Sequence, residues 1–288
     1  MPVTQFIPEL WAASIEEILR KNLVFGSILN TDYEGQISKI GDTVHINEIG
    51  DISISAYTPN STSLPTVQIL DGSEVQLVID RARQFWFKVD DVDKIQANKG
   101  LMAAAVSRAA YNLKDDIDSY IAQTLSSGGF FAGRNSTELG TTGTALSVAS
   151  TLAINALSWY QVIMDQNNIP TDGRFIVIPP RMYQNMAMSR ITLDTNNSDT
   201  INEYGPRPVG RIMGLDVYVS NNVYSTLGTS SQFHIIAGHK MGATFANQIN
   251  SVESFRSQTI FGDEVRGLAL HGLKVVRPSA ILKGVHTM

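Results

Sequence analysis

Residues 81–120 read RARQFWFKVDDVDKIQANKGLMAAAVSRAAYNLKDDIDSY, and the spacing of their apolar side chains changes once, near Asp90. From Phe85 to Val89 the apolar residues lie two apart, which is the spacing of a β-strand. After Asp90 they lie three or four apart as far as Tyr120, which is the spacing of a helix. The stretch therefore predicts a strand and then a long helix of roughly thirty residues, about 45 Å at 1.5 Å per residue.

Upstream of this stretch, two segments of period two predict an extended β-hairpin. In the first segment the even positions carry Val44, Ile46, Ile52, Ile54 and Ala56, and in the second the odd positions carry Val67, Ile69, Val75, Leu77 and Ile79. The segment between them contains the turn-forming residues 58–65, TPNSTSLP. A two-stranded hairpin is marginally stable alone in water, so we expect this one to lean on another chain. Residues 51–80 contain no Lys or Arg.

Residues 8–24 predict a short amphipathic helix, in which apolar residues such as Leu10 and Trp11 recur at helical spacing. A tryptophan in this position needs a surface that buries it. Trp11 either packs on its own domain or docks on a neighbouring copy of the chain, and the sequence leaves both open.

The second half of the chain mixes helices and strands and predicts an α+β protein. Its composition shifts to Gly, Ser, Thr and Asn over residues 126–143, which indicates a surface loop between two lobes. One lobe holds the hairpin, the long helix and the C-terminal strands, and the other is inserted between them. The further segments are predicted helices at 151–167 and 180–188, a buried strand at 174–178, a polar loop at 193–210, and strands at 215–220, 232–237, 242–255 and 265–276.

The composition excludes several classes of protein. The chain has 288 residues, of which 43% are hydrophobic and only 17% charged, with a formal net charge of -5. Sequence-reading DNA-binding domains are usually basic, so this class is disfavoured. The lack of cysteine excludes disulfides and thiolate metal sites. No apolar run is long enough to span a bilayer, and the first residues do not form a signal peptide. We expect a protein that stays in the cytoplasm and does not enter a membrane.

Motifs for catalysis or cofactor binding are missing from the sequence. It contains no Gly-x-Gly-x-x-Gly, no phosphate-binding Gly-x-x-x-x-Gly-Lys and no Gly-x-Ser-x-Gly. His234 and His239 are close in sequence, but their separation suits neither one strand face nor a helical metal pair, so we interpret them as surface or loop histidines. We predict no catalytic, cofactor-binding or metal-binding residue and no enzymatic activity.

Two clusters of aspartates have ordinary structural interpretations. Asp90, Asp91 and Asp93 are favoured by the dipole at a helix start, and a cation site is the alternative. The second cluster is interpreted as the solvated face of the long helix; its members are Asp115, Asp116 and Asp118.

Five segments, in this order, resemble the Hong Kong 97-type major capsid proteins of tailed bacteriophages. The resemblance covers essentially the whole chain, although no single motif is diagnostic. The segments are FIPELW at 6–11, GDTVHI at 41–46, VDDVDKIQ at 89–96, GRIMGLDVYVSN at 210–221 and VRGLALHGLKVVRP at 265–278.

The resemblance implies a Hong Kong 97-like fold with a specific division of the chain. It comprises an N-terminal arm, an extended hairpin called the E-loop, a peripheral domain with a long spine helix, and an axial domain. The implied boundaries are 1–35 for the arm, 36–80 for the E-loop, 81–127 for the peripheral strand and spine helix, 128–241 for the axial domain, and 242–288 for the peripheral return strands.

The resemblance also implies a function and partners. Hexamers and pentamers of this chain would tile an icosahedral head around packaged double-stranded DNA, which is enclosed without sequence-specific binding. The implied partners are a portal protein, a scaffolding protein and a cement or decoration protein. The chain would assemble in the host cytoplasm and become part of the virion. An encapsulin-type compartment, which shares the fold but encloses cargo enzymes, is the alternative function, and a soluble enzyme of unknown type is a more distant one.

Several side chains are expected to contact neighbouring subunits. Arg81 and Arg83 share one face of their strand and could pair with acids across a subunit boundary. The other expected contacts lie in the arm, at the hairpin tip and in the polar loop, which the resemblance places toward the capsomer centre: Trp11, Tyr57, Pro59, Leu64, Pro65, Tyr204 and Arg207.

Some relatives carry an N-terminal scaffolding segment that is later removed, and this sequence begins almost directly with the arm. We expect either a separate scaffolding protein or earlier removal of the segment.

Some relatives also lock their shells with isopeptide bonds from an E-loop lysine, and residues 51–80 contain no lysine. Because the amine nucleophile is missing, we predict shells without this cross-link. Mature particles boiled in detergent and reductant should release one band near 31.5 kDa on a denaturing gel. A ladder of covalent multimers would contradict the prediction.

Overall fold

The structure is a computed structural model, which describes residues 24–32, 41–49, 52–54, 72–90, 101–128, 139–141, 144–148, 153–188, 210–226, 232–256 and 261–287. Its helices within these ranges are α1 (Phe25–Ile28), α2 (Leu101–Gly128), α3 (Ala153–Gln166) and α4 (Pro180–Met188). The strands are β1 (Thr43–Ile49), β2 (Gly72–Val78), β3 (Arg81–Asp90), β4 (Leu146–Ser147), β5 (Arg174–Ile178), β6 (Gly210–Ile212), β7 (Leu215–Val219), β8 (Ser225–Thr226), β9 (Gln232–His239), β10 (Ala243–Arg256), β11 (Gly262–Val275) and β12 (Ile281–Thr287).

The strands form three sheets, which confirms the predicted α+β class. β1 and β2 form an antiparallel hairpin, and β10, β11 and β3 form a three-stranded antiparallel sheet. The third sheet has the order β4-β12-β9-β5-β7-β6, with β8 paired to β9. The β5–β7 and β12–β4 pairs of this sheet are parallel.

The long helix α2 joins the two larger sheets through one apolar face. Ile117, Ile121 and Leu125 are fully buried there. They belong to a cluster that includes Ala269 of the three-stranded sheet and Val177 of the seven-stranded sheet. The other face of the seven-stranded sheet is covered by α3 and α4. This is why every residue of β5 is buried and why its sequence after Arg174 is a continuous apolar run.

The predicted C-terminal end of the long helix is too early. We expected a loop from Ser126, but α2 continues to Gly128. Ser126 is buried, its hydroxyl lies 2.7 Å from Nδ1 of His234, and Lys283 donates a 2.6 Å bond from Nζ to its carbonyl. These partners satisfy groups at the helix end that a loop would leave to solvent. The predicted helix start, with Asp91 and Asp93, lies outside the described residues.

The predicted hairpin is confirmed at its base. Val44 lies opposite Leu77, and Ile46 opposite Val75, so the two apolar alternations share one face. This face packs on Ala246 and Leu270 of the same chain. The base of the hairpin thus has support in its own chain, and a contact of the hairpin with another chain stays a prediction.

The first strand of the hairpin is also shorter than predicted. β1 ends at Ile49, whereas the apolar alternation extends to Ala56. Ile52 and Ile54 are not in a described strand, and they are 66% and 97% exposed. The tip at 58–65 lies outside the described residues.

The interpretation of the histidines as surface or loop residues is wrong. His234 and His239 both lie in β9 and are buried. His271 and His286 are fully buried in β11 and β12. Other elements of the fold cover the strands that carry these four histidines. The spacing of apolar residues around each histidine did not indicate that its side chain is buried.

The second aspartate cluster is not a uniformly solvated helix face. Asp115 is exposed, Asp116 pairs with Arg83 at 2.7 Å, and Asp118 is only 1% exposed. Asp118 is buried because the segment around α1 packs on this side of α2. The interpretation is therefore wrong for Asp118.

The last strand, β12, was not predicted. It pairs with β9 and β4 in the seven-stranded sheet, whereas β10 and β11 run beside β3 as return strands. The chain thus returns to the sheet of the inserted lobe within residues 242–288. The domain boundaries themselves stay a prediction.

The buried histidines predict loss of stability in acid. Burial lowers the pKa of His271 from 6.5 to about 4, and burial has the same effect on His286. The unfolded chain therefore takes up protons first as the pH falls. Each histidine should remove up to about 1.4 kcal/mol of stability per pH unit between pH 6.5 and 4.

Denaturant unfolding at pH 7.5, 6 and 5 measures this effect. His271→Phe should reduce the acid-dependent loss of stability. An equal loss in His271→Phe and in the unsubstituted chain would contradict the assignment.

Candidate functional site

A groove of about 620 Å³ runs between β3 and the N-terminal half of α2. Its apolar lining residues are Phe85, Trp86, Phe87, Ala105, Ala109 and Leu113, and its polar ones include Arg83, Lys88, Arg108, Asn112 and Asp116. An apolar groove with a polar rim is typical of a surface that receives another polypeptide segment.

The groove follows from the local sequence. Ala105 and Ala109 have small side chains, which leave an open space between α2 and β3. The ring of Phe85 lies against Gly267 of β11, where a Cβ would overlap the ring. β3 is also an edge strand, because β11 is its sole partner within the described parts of the chain. An edge strand presents unpaired backbone groups to an incoming segment.

The two strand arginines singled out from the sequence both face α2. Nε of Arg83 donates to Asp116 at 2.7 Å, and the guanidinium of Arg81 lies 4.3 Å from the ring centre of Tyr120. The side chains of Arg83 and Asp116 are 44% and 40% exposed, so their ion pair contributes little to stability. Both arginines thus have partners within their own chain, and a role between subunits stays a prediction.

Trp86 is an exposed aromatic residue that the sequence analysis did not single out. It alternates with Phe85 and Phe87 along β3, lines the edge of the groove and is 66% exposed. Its Nε1 donates to Glu264 at 2.9 Å, which fixes the indole against the sheet. An exposed tryptophan held in place is typical of a contact residue. The sequence pattern could have indicated an exposed tryptophan, because Trp86 alternates along the strand with Phe85 and Phe87, which pack against the core.

Other exposed apolar side chains lie at the ends of the two hairpins. Ile52 and Ile54 follow β1, and Phe261, which is 83% exposed, precedes β11. The remaining predicted contact residues lie outside the described parts of the chain: Trp11, Tyr57, Pro59, Leu64, Pro65, Tyr204 and Arg207.

One hydroxyl–imidazole pair has the residue types of a catalytic centre but not its surroundings. Ser126 lies 2.7 Å from His234, whose Nε2 lies 3.1 Å from the hydroxyl of Thr226. Burial lowers the pKa of His234, and the positive charge of Lys283 lowers it further. Ser126 and His234 are 4% and 5% exposed, so a substrate cannot reach them. The pair connects the end of α2 to the sheet.

Two further observations concern metals and membranes. No three potential metal ligands among His, Cys, Asp and Glu converge within the described residues. None of the helices in the same residues is long and apolar enough to cross a membrane.

Comparison with known proteins identifies one family. The model of the phage capsid protein family matches residues 74–284. No protein in the curated set matches the chain.

Solved structures share the fold over nearly the whole chain. A structure of Mycobacterium phage Che8 is 26% identical, covers 97% of both chains and has a TM-score of 0.69. The mature capsid of bacteriophage PhiM1 is 14% identical, with a TM-score of 0.63 over 91% of this chain and 86% of its own. A virus-like particle from Pyrococcus furiosus is 11% identical, with a TM-score of 0.54 over 96% of this chain and 97% of its own.

Proposed function

This chain belongs to the phage capsid protein family, and on that premise we propose that it is the major capsid protein of a tailed phage. Copies of it form hexamers and pentamers, which close an icosahedral head around double-stranded DNA. The observation that carries the proposal is the family match over residues 74–284. The Hong Kong 97-like fold, shared with the Che8 structure along 97% of each chain, supports it.

A structural role without enzymatic activity agrees with the site. The groove has no reactive hydroxyl or histidine among its lining residues, and the buried pair of Ser126 and His234 serves the fold. The net charge of -5 also suits a shell that encloses DNA without binding it sequence-specifically.

The encapsulin-type alternative is less well supported. The family model that matches most of the chain describes a phage capsid protein. The content of purified particles separates the two functions, because packaged DNA supports the phage head and packaged protein supports a compartment.

We place the chain in the virion after assembly in the host cytoplasm. Its partners are further copies of itself, a portal protein, a scaffolding protein and a cement or decoration protein. The domain scheme of arm, E-loop, peripheral domain and axial domain, with the boundaries given above, is part of the same proposal.

For contacts between copies, we propose that the groove beside β3 receives the hairpin segment of a neighbouring copy. Ile52 and Ile54 lie beyond the hairpin base and are exposed, so they have no apolar partner surface among the described residues. They are two residues apart, and an extended segment would direct both toward one surface. The apolar floor, which includes Phe85 and Leu113, offers that surface.

Charge complementarity favours the same occupant. The hairpin segment carries Asp51 and Asp71 and has no basic residue between 51 and 80. The groove carries Lys88 and Arg108 in addition to the paired Arg83. Opposite charges on the two surfaces steer the encounter and fix the register.

Reversing the groove charge tests this contact. Lys88→Glu combined with Arg108→Glu should raise the protein concentration needed for assembly about tenfold or more, because the groove would then repel the acidic hairpin. The matched control is Lys274→Glu, an exposed lysine near the other end of β11. Sedimentation velocity measures assembly, and circular dichroism checks the fold of the subunit.

The effect of the double variant should shrink at high salt, since exposed charges are then screened. Assembly of the double variant at the same concentration as Lys274→Glu would contradict this contact. A clean monomer at every concentration for the unsubstituted chain, with or without scaffold, would contradict the capsid function itself.

A further inference from the structure

Asp118 is a buried acid that the proposed function does not use. It lies in α2, is 1% exposed, and its carboxylate accepts the backbone N–H of Val24 at 3.3 Å and of Phe25 at 3.2 Å. These donors are more than ninety residues away in the sequence. One carboxylate thus holds the beginning of α1 on the middle of α2.

The segment around α1 has two kinds of attachment. Its apolar side chains enter the core beside α2, with Phe25, Ile28 and Leu29 buried. At its far end, Asn30 pairs with the sheet, since its carbonyl accepts the N–H of Phe245 at 2.9 Å. Asp118 supplies the polar attachment at the near end, at Val24 and Phe25.

Few charges compensate the carboxylate. Lys114 lies one turn earlier on α2 and attracts it. Residues 24–30 of the docked segment are uncharged, and so are residues 243–245 of the strand that Asn30 joins. Ionisation of Asp118 therefore places a charge in a site with little solvent, where Lys114 is the attracting cation among the described residues.

We propose that Asp118 is a protonation-sensitive clamp, which sets how firmly residues 24–30 dock on α2. Docking is firmest when the carboxyl group is neutral, and it loosens when the group ionises. This clamp is independent of the contact proposed for the groove.

The pKa of Asp118 gives the direction of the effect. Burial raises it from 3.8 to about 6, against the opposing effects of the backbone bonds and Lys114. Undocking exposes the carboxyl group and returns its pKa toward 3.8. Between pH 3.8 and about 6, docking is therefore coupled to the uptake of a proton by Asp118. The docking equilibrium should weaken as the pH rises through about 6, about tenfold between pH 5 and pH 7.5.

Hydrogen exchange of the intact protein tests the clamp. The amides of Val24 and Phe25 are followed at pH 5 and pH 7.5, and each rate is divided by the intrinsic rate at that pH. Protection should fall about tenfold at the higher pH. In Asp118→Asn, a neutral side chain of the same shape, protection should be equal at the two values. The matched control is Asp115→Asn, an exposed position on the same helix, which should behave like the unsubstituted chain.

Two results would overturn the proposal: equal protection of these amides in the unsubstituted chain at both pH values, or persistence of the pH dependence in Asp118→Asn. If Asp118→Asn does not fold, the unsubstituted series decides alone. The amide of Leu157 in α3 then serves as the internal reference: a fall in protection at pH 7.5 that is confined to Val24 and Phe25 supports the clamp, and an equal fall at Leu157 contradicts it.

Discussion

The packing of α2 across two sheets is the interaction on which the rest of the structure depends. Ile117, Ile121 and Leu125 are fully buried there. Burial of such a side chain contributes about 1.5–3 kcal/mol. The same helix sets one wall of the groove, holds α1 through Asp118 and meets the seven-stranded sheet at Ser126. Loss of this apolar face would disturb the core and the contact surface together.

A rigid frame of this kind suits the proposed contact between copies, because the groove is already formed in the single chain. The exposed Trp86 and the groove are held by strands and a helix rather than by loops, so little order is lost on contact. A closed shell repeats each contact many times, and contacts that are weak one by one allow a misplaced copy to leave before closure. The low charged fraction of 17% agrees with a surface that meets protein over much of its area.

The sequence predicted the elements whose burial follows a regular period. The change of period near Asp90, the paired faces of the hairpin base and the strand at 174–178 are all of this kind. It did not predict the burial of Asp118, which comes from a segment more than ninety residues away and leaves no local trace. It also missed β12, whose buried Lys283 and His286 interrupt the apolar pattern and find partners in the carbonyl of Ser126 and the hydroxyl of Tyr160. The groove was not predicted, because the spacing of apolar residues does not specify how β3 and α2 pack against each other.

The most direct test of the central claim is a cross-link between different copies in assembled particles. The chain contains no cysteine, so Ile54→Cys and Ala109→Cys each introduce a single thiol. Particles assembled from an equal mixture of these two variants are treated with a short bis-maleimide. The hairpin of one copy in the groove of its neighbour predicts covalent dimers that contain one copy of each variant, in excess over those from either variant alone. Particles that assemble from the mixture but yield no such mixed dimer would contradict the account.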